Sequence, residues 1–314
     1  MKAIPPAFFR QLLVDAQLSE RDARERVGRA LDAGYWRGLA ADDSSLPASP
    51  HAPVVVENAL VNFRGVGVYR MDGAVAPAAL SRLNAIVDRV MADGWPPVFA
   101  FAYDALWECA RMDPIRSFVE GALGPGAKQI PHIWTHVVKA GGGHTGWSPH
   151  VDGPAGDRLT AWVALSDAGL HNGCMYAVPR SAEVDAAVGA WSTQDTLSKD
   201  HVSALLQSAR AMPARAGDVL GWGFDIVHWG SAVAPNAPGR RSLSFEYIAA
   251  GGSPGPTDTP LVPLDGPLPP LRDRLRAIGA ALLEYKKFEP LALRYEGVAR
   301  ALVEDEGTST IHGS

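Results

Sequence analysis

The chain has 314 residues, enough for one large or two small domains with a full hydrophobic core. Lys and Arg number 29 against 34 Asp and Glu, and the resulting net charge of −5 argues against the basic surface that binding a phosphate backbone requires. Hydrophobic residues make up 47 % and charged residues 20 %, a globular mix, and the longest apolar runs are too short to span a membrane.

The N-terminal stretch MKAIPPAFFRQLLVDAQ lacks the long apolar segment and small-residue cleavage site of a secretory signal. The two cysteines, Cys109 and Cys174, cannot build a disulfide framework and fit a reducing, cytoplasmic setting as free thiols. Residues 7–40 place Leu12, Leu13, Ala16, Leu18, Ala23, Val27, Ala30 and Leu31 at helical spacing. Residues 41–53 read as a linker, and GVGVYRM at 65–71 as a strand running into a turn at Asp72-Gly73. Leu80, Leu83, Ile86, Val87 and Val90 predict an amphipathic helix over 77–93, and a second helix is expected over 114–123, closed by Gly124-Pro125-Gly126.

After residue 128 the pattern changes. IPHIWTHVV, LTAWVALSD, CMYAVP, VLGWGF and SLSFEYIAA are short, rich in β-branched and aromatic residues, and punctuated by Gly, Pro and Asp. That spacing predicts a sandwich or barrel rather than βαβ units. Residues 251–265 read as irregular, 269–303 as helical through Leu271, Leu275, Ile278, Leu282 and Leu283, and the tail DEGTSTIHGS as polar and frayed. The expectation is an α+β chain, mainly β at its centre. One domain would span 1–314, with a β-core at about 128–250 and helical support from 1–127 and 265–303.

Among nine histidines, His150 and His228 stand out, together with Asp152. On a strand, residues i and i+2 face the same side, so His150 and Asp152 can reach one point in space. A second His from a distant strand completes the two-His, one-carboxylate face that leaves half of an Fe(II) octahedron open. An HxD triplet by itself is common. Here it is followed by AGDVLGW at 216–222, VHWGSAV at 227–233 carrying His228, and GRRSLSFEY at 239–247 carrying Arg240 and Arg241. A metal-chelating cosubstrate with a distal carboxylate would need such an Arg, whose fork grips a carboxylate in bidentate fashion.

Five segments resemble the phytanoyl-CoA dioxygenase family of Fe(II)- and 2-oxoglutarate-dependent oxygenases: HVVKAGGG at 136–143, GWSPHVDG at 146–153, LTAWVALSDAGLHNGCMYAVPRS at 159–181, GDVLGWGFDIVHWGS at 217–231 and NAPGRRSLSFEY at 236–247. GVGVYRMDGAVAPAALSRL at 65–83 is similar to the family's N-terminal strand and helix, so the likeness covers roughly 65–250. The resemblance implies a double-stranded β-helix, or jelly roll, flanked by N- and C-terminal helices. It also implies His150, Asp152 and His228 as iron ligands and catalytic centre. Arg240 matches the Arg that pairs with 2-oxoglutarate, with Arg241 the rival because a one-residue slip flips the face. Trp162, Ser231, Lys139 and Thr135 match further positions at the cosubstrate.

Two departures are visible. Trp229-Gly230-Ser231 follows His228 where the family more often has Gly-Ser directly, and PRS at 179–181 lacks the usual Gly-Ser-His. A Gly or Ala in place of Asp152 would have opened a halide site, so the Asp implies hydroxylation or a related oxidation. The resemblance implies O2 as oxidant, succinate and CO2 as coproducts, and a small-molecule substrate such as an amino acid derivative or natural-product intermediate, with no nucleic-acid or membrane partner. The alternatives are an inactive jelly-roll binding module and a metal-dependent enzyme that does not use 2-oxoglutarate.

If Thr135 and Lys139 face the pocket, strand parity sends His132 and His136 to the other side as structural residues. Asn172-Gly173 reads as a turn, Cys174 as a buried thiol, and Trp134, Trp147, Trp222 and Trp229 as core or rim packing. His144, His171, Tyr103, Trp107, Arg111 and Arg158 are candidates for contacts with substrate.

Overall fold

The computed structural model describes residues 18–39, 45–48, 53–139, 146–193, 196–255, 258, 260–286 and 289–304. Residues 7–17 of the expected N-terminal helix, most of the 41–53 linker, most of the Gly-rich loop with His144, and the polar tail lie outside them. The N-terminal part contains helices Glu20–Leu31, Ala33–Leu39 and Pro53–Val66. Ser19 caps the first, accepting a hydrogen bond from the Asp22 amide. Pro53–Val66 is a helix that the sequence reading did not contain. The expected strand at 65–71 is therefore shorter, β1 (Val68–Met71), because Gly67 ends the helix at φ +77°. Helices follow at Pro77–Ala92 and Ile115–Leu123, as expected. Between them lie a 3-10 turn, Pro97–Ala102, and a further helix, Asp104–Arg111, neither of which was anticipated.

The strands are β2 (Lys128–Val138), β3 (Arg158–Ala164), β4 (Met175–Ala177), β5 (Arg210–Met212), β6 (Val219–Gly223), β7 (His228–Gly230), β8 (Arg240–Ile248) and β9 (Val262–Pro263). They form two antiparallel sheets, a six-stranded one in the order β1-β6-β3-β8-β2-β9 and a three-stranded one in the order β5-β4-β7. The expected β-core at 128–250 is not uninterrupted: helices Ala182–Thr193 and Lys199–Ser208 stand between β4 and β5. The C-terminal helices are Leu271–Tyr285, Pro290–Arg294 and Glu296–Glu304.

The six-stranded sheet has two chemically different faces. Leu159, Ala161, Val163, Leu243, Phe245 and Tyr247 are fully buried in the core cluster that also holds Trp36, Phe99, Phe118 and Ile278 of the helices. Each large apolar side chain buried there contributes roughly 1.5–3 kcal/mol. Aromatic stacking organises that layer, with Tyr69 against Phe118 at 3.8 Å and Trp36 against Phe99 at 6.0 Å between ring centroids. The alternate residues Thr160, Trp162, Arg240, Ser244 and Glu246 point the other way and line a cleft that the smaller sheet closes through Met175, His228 and Gly230. No helix among the described residues is long and apolar enough to cross a membrane.

Candidate metal centre

His150, Asp152 and His228 converge. His228 opens β7, and His150 pairs with it through reciprocal backbone bonds of 2.9 and 3.1 Å. Asp152 is not on a regular strand. Its amide donates to the Phe224 carbonyl, so the chain bends beyond His150 and still brings the carboxylate to the same point. Asp152 Oδ1 lies 3.5 Å from His228 Nε2 and 3.7 Å from His150 Nε2, and one ligand atom from each residue lies within 4.8 Å of the others.

The surrounding bonds select those atoms. His150 Nδ1 is 2.7 Å from the Ser148 carbonyl and His228 Nδ1 is 2.9 Å from the Ile226 carbonyl, so each ring presents Nε2 to the common point. Asp152 Oδ2 accepts from Thr160 Oγ1 at 2.8 Å and from Trp222 Nε1 at 3.0 Å, which turns Oδ1 toward the two imidazoles. Burial, opposed by Asp152 and reinforced by His150, holds the His228 pKa below its usual value and keeps the ring neutral, the form that binds a metal. Two imidazoles, one carboxylate and oriented supporting bonds fit a divalent cation such as Fe(II).

Arg240 occupies the other end of the cleft. It is 2 % exposed, and among the described residues no carboxylate lies within ion-pair distance of it. Among the described residues its Nη1 has only a long bond of 3.4 Å to Ser242 Oγ, and its Nε is buried without a partner. Burial pushes its pKa down to about 10, against the attraction of Cys174 and Glu289. The Trp162 ring lies 5.6 Å from its guanidinium carbon, and Trp162 Nε1 is likewise buried without a partner. Two orphaned donors side by side in one cleft are what a site built for an anionic ligand leaves exposed. Arg241 faces away and pairs with Asp88 at 2.6 Å, which places Arg240, not its rival, in the cleft.

Residues 112–242 match the family described as phytanoyl-CoA dioxygenase (PhyH). The match spans the cleft strands from β2 to the start of β8. All three metal-facing residues and Arg240 fall within it. No curated protein sequence is significantly similar to the chain. Among solved structures, the non-heme alpha ketoglutarate dependent epimerase SnoN from nogalamycin biosynthesis is 22 % identical, with a TM-score of 0.51 over 69 % of this chain and 94 % of that one. A second SnoN structure, in complex with Fe3+, alpha ketoglutarate and nogalamycin RO, is 20 % identical with a TM-score of 0.50 over 68 % and 97 %. The carbocyclase SnoK, from the same biosynthesis, is 19 % identical with a TM-score of 0.51 over 72 % and 98 %. At these identities the likeness concerns the fold.

Within the matched stretch, three expected cosubstrate residues are displaced. Val138 pairs with Arg240 and His136 with Ser242, so the even-numbered residues of β2 share the cleft face. Thr135 is therefore buried on the helix side opposite Leu243, and Lys139 is exposed beyond the strand end. His136, expected to be structural, lines the cleft, where burial and the charges of Arg240, His150 and His228 hold its pKa well below normal. Ser231 also lies outside the cleft, its amide on the Cys174 carbonyl at 3.0 Å. The residues Trp229-Gly230 explain this: Trp229 stacks on Tyr176 at 5.3 Å on the outer face, and Gly230 takes the place beside the Arg.

Gly230 is there because nothing larger fits. A Cβ would stand 2.5 Å from Arg240 Nη2 and 3.0 Å from the Gly146 Cα. Gly230→Ala is expected to push the guanidinium aside and weaken dicarboxylate binding, at a cost of about 1–3 kcal/mol read by calorimetric titration. Unchanged affinity would show that Arg240 is not held by this contact.

The candidates for substrate contact divide. Tyr103 and Trp107 are buried with bonds to the Trp36 and Phe101 carbonyls, and Arg111 holds the Gly266 carbonyl. His171 is exposed, and Arg158 lines a chamber beside the metal-facing residues. Trp147 and Trp222 line the cleft, and Trp134, on the same face of β2 as His136, packs behind them against Trp147 and Tyr285. Glu246 and Tyr285 were missed. Glu246 was legible in principle, since it stands an even number of positions from Arg240 on one strand. Tyr285 comes from a distant helix and carried no local signal.

Proposed function

We propose that the chain is an Fe(II)- and 2-oxoglutarate-dependent oxygenase that hydroxylates a small molecule in the cytoplasm, as a single domain whose two sheets form a jelly roll. The supporting observation is the presence in one cleft of the three converging ligand atoms and a buried Arg240 that, among the described residues, has no carboxylate beside it. His150 Nε2, Asp152 Oδ1 and His228 Nε2 would hold the iron, and the Arg240 fork would hold the distal carboxylate of 2-oxoglutarate beside Trp162. When bound, iron and 2-oxoglutarate supply a two-electron oxidation by O2, with release of succinate and CO2.

The protein's own part is positioning. The Nδ1 contacts fix both rings, Thr160 and Trp222 fix the carboxylate, and Trp147 and Tyr285, with rings 4.6 Å apart, wall the cleft against water. Thr135, Lys139 and Ser231 have no part in this arrangement. The solved relatives carry the names epimerase and carbocyclase, and where a substrate sits relative to the iron decides which outcome follows.

Anaerobic addition of Fe(II) and then 2-oxoglutarate is expected to give a weak visible charge-transfer band that needs both components. An inactive binding module gives none, and a metal enzyme of another kind gives none that depends on 2-oxoglutarate. Absence of the band would overturn the proposal.

A further inference from the structure

The cleft face of β8 is chemically graded. Arg240, Ser242, Ser244 and Glu246 alternate on it, so a cation and a carboxylate stand at opposite ends of roughly 20 Å of strand. Glu246 lies opposite Thr160, the residue that orients Asp152, so the metal-facing atoms are at the Glu246 end. Beside them a second chamber opens, walled by Trp147, Phe224 and Tyr285, with Arg158, Glu246 and a further carboxylate, Glu284, at its sides. Arg240 is not among its walls.

Glu246 is held in place from behind. Its Oε2 is 2.9 Å from His132 Nδ1, His132 Nε2 is 3.4 Å from Asp258, and Asp258 pairs with Arg158 at 2.7 Å. Arg158 also donates to the Ser253 carbonyl at 2.8 Å, so its guanidinium is engaged by Asp258 and the backbone and leaves Glu246 to the chamber. The Glu246 side chain is 12 % exposed, and burial raises its pKa despite His132. A carboxylate kept largely from water beside aromatic faces favours a cationic partner, through charge-assisted hydrogen bonding and cation–π contact.

We propose that Glu246 is a specificity-determining residue, and that the substrate presents a protonated amine to it while an apolar body lies among Trp147, Phe224 and Tyr285. The inference rests on the functional reading above, in which this chamber adjoins the iron. Arg240 selects an anion at one end of the cleft, and Glu246 selects a cation at the other. One strand face thereby keeps cosubstrate and substrate from exchanging places.

The test uses the full chain loaded with Ni(II), which does not turn over, and saturating 2-oxoglutarate. Phenethylamine, 2-phenylethanol and 3-phenylpropionate share an apolar body and differ in the charge of the end group. Calorimetric titration at neutral pH is expected to show the amine binding at least about tenfold more tightly than the alcohol, with the acid weakest. Glu246→Gln should erase that order while leaving 2-oxoglutarate affinity unchanged. Binding of none of the three, equal binding, a preference for the acid, or an amine preference that survives in Glu246→Gln would each overturn the inference. If that variant does not fold, Glu246→Asp and Glu284→Gln are compared instead: the order should weaken in the first and survive in the second, and the reverse would overturn the inference. Failure of 2-oxoglutarate itself to bind marks failure of the functional reading instead.

Discussion

Alanine at His150, Asp152 or His228 is expected to lower Fe(II) affinity by more than about 100-fold and to bring 2-oxoglutarate turnover to background, because the loss exceeds that of a merely supporting partner. Each residue supplies one ligand atom, and among the described residues no other group of His, Cys, Asp or Glu side chains converges in this way, so the site holds no spare donor. The variants should differ in stability. Removing the Asp152 carboxylate strands two donors, Thr160 Oγ1 and Trp222 Nε1, at about 1–3 kcal/mol for each donor left dry. His150 is half-buried, and its loss should disturb the fold less. Anaerobic equilibrium dialysis against Fe(II), with thermal unfolding of the metal-free protein alongside, reads both effects. Wild-type affinity and turnover in any one variant would remove that residue from the metal site.

Arg240→Ala is expected to weaken 2-oxoglutarate binding by about 2–4 kcal/mol, the range for losing one side of a buried charge-assisted pair. Arg241→Ala should change it little, since Arg241 faces away and its pair with the exposed Asp88 is a surface one. A second readout separates ligand contact from general damage. At 100 times its dissociation constant, 2-oxoglutarate should stabilise the wild-type protein by about 2.7 kcal/mol, and this gain should vanish in Arg240→Ala. The ligand-free variant should lose little stability, because a buried cation without a counter-charge contributes none that its removal could forfeit. If the two arginines behave in the reverse way, the cleft face of β8 is the odd-numbered one.

The local patterns in this chain were decisive where a single element carries its own signal. The helices at Pro77–Ala92, Ile115–Leu123 and Leu271–Tyr285 followed from apolar spacing, and the strands after residue 128 from short β-branched runs between turns. His150 and Asp152 were paired as alternate residues of a strand, but they meet through a bend held on the Phe224 carbonyl, while His228 and Arg240 followed from their order along the chain. The Pro53–Val66 helix was not legible, because its opening Pro-Val-Val-Val run has no helical preference of its own and it is held by packing onto β1 and Ile115–Leu123.

Tertiary structure decided which face of each strand meets the cleft. Parity along β2 is fixed by its register with β8, and a bulge between Ile130 and Ile133 resets it midway. No property of residues 128–139 themselves records that register, so Thr135 and Lys139 could be assigned to the cleft and His136 excluded from it. The same holds for Tyr285, brought to the metal-facing residues by a helix far along the chain from them. Spacing within one strand is a local property of the backbone, and sequence by itself determined it. Which strands pair, and in what register, is set by burying one apolar face against the helices, a requirement met only when the whole chain is packed.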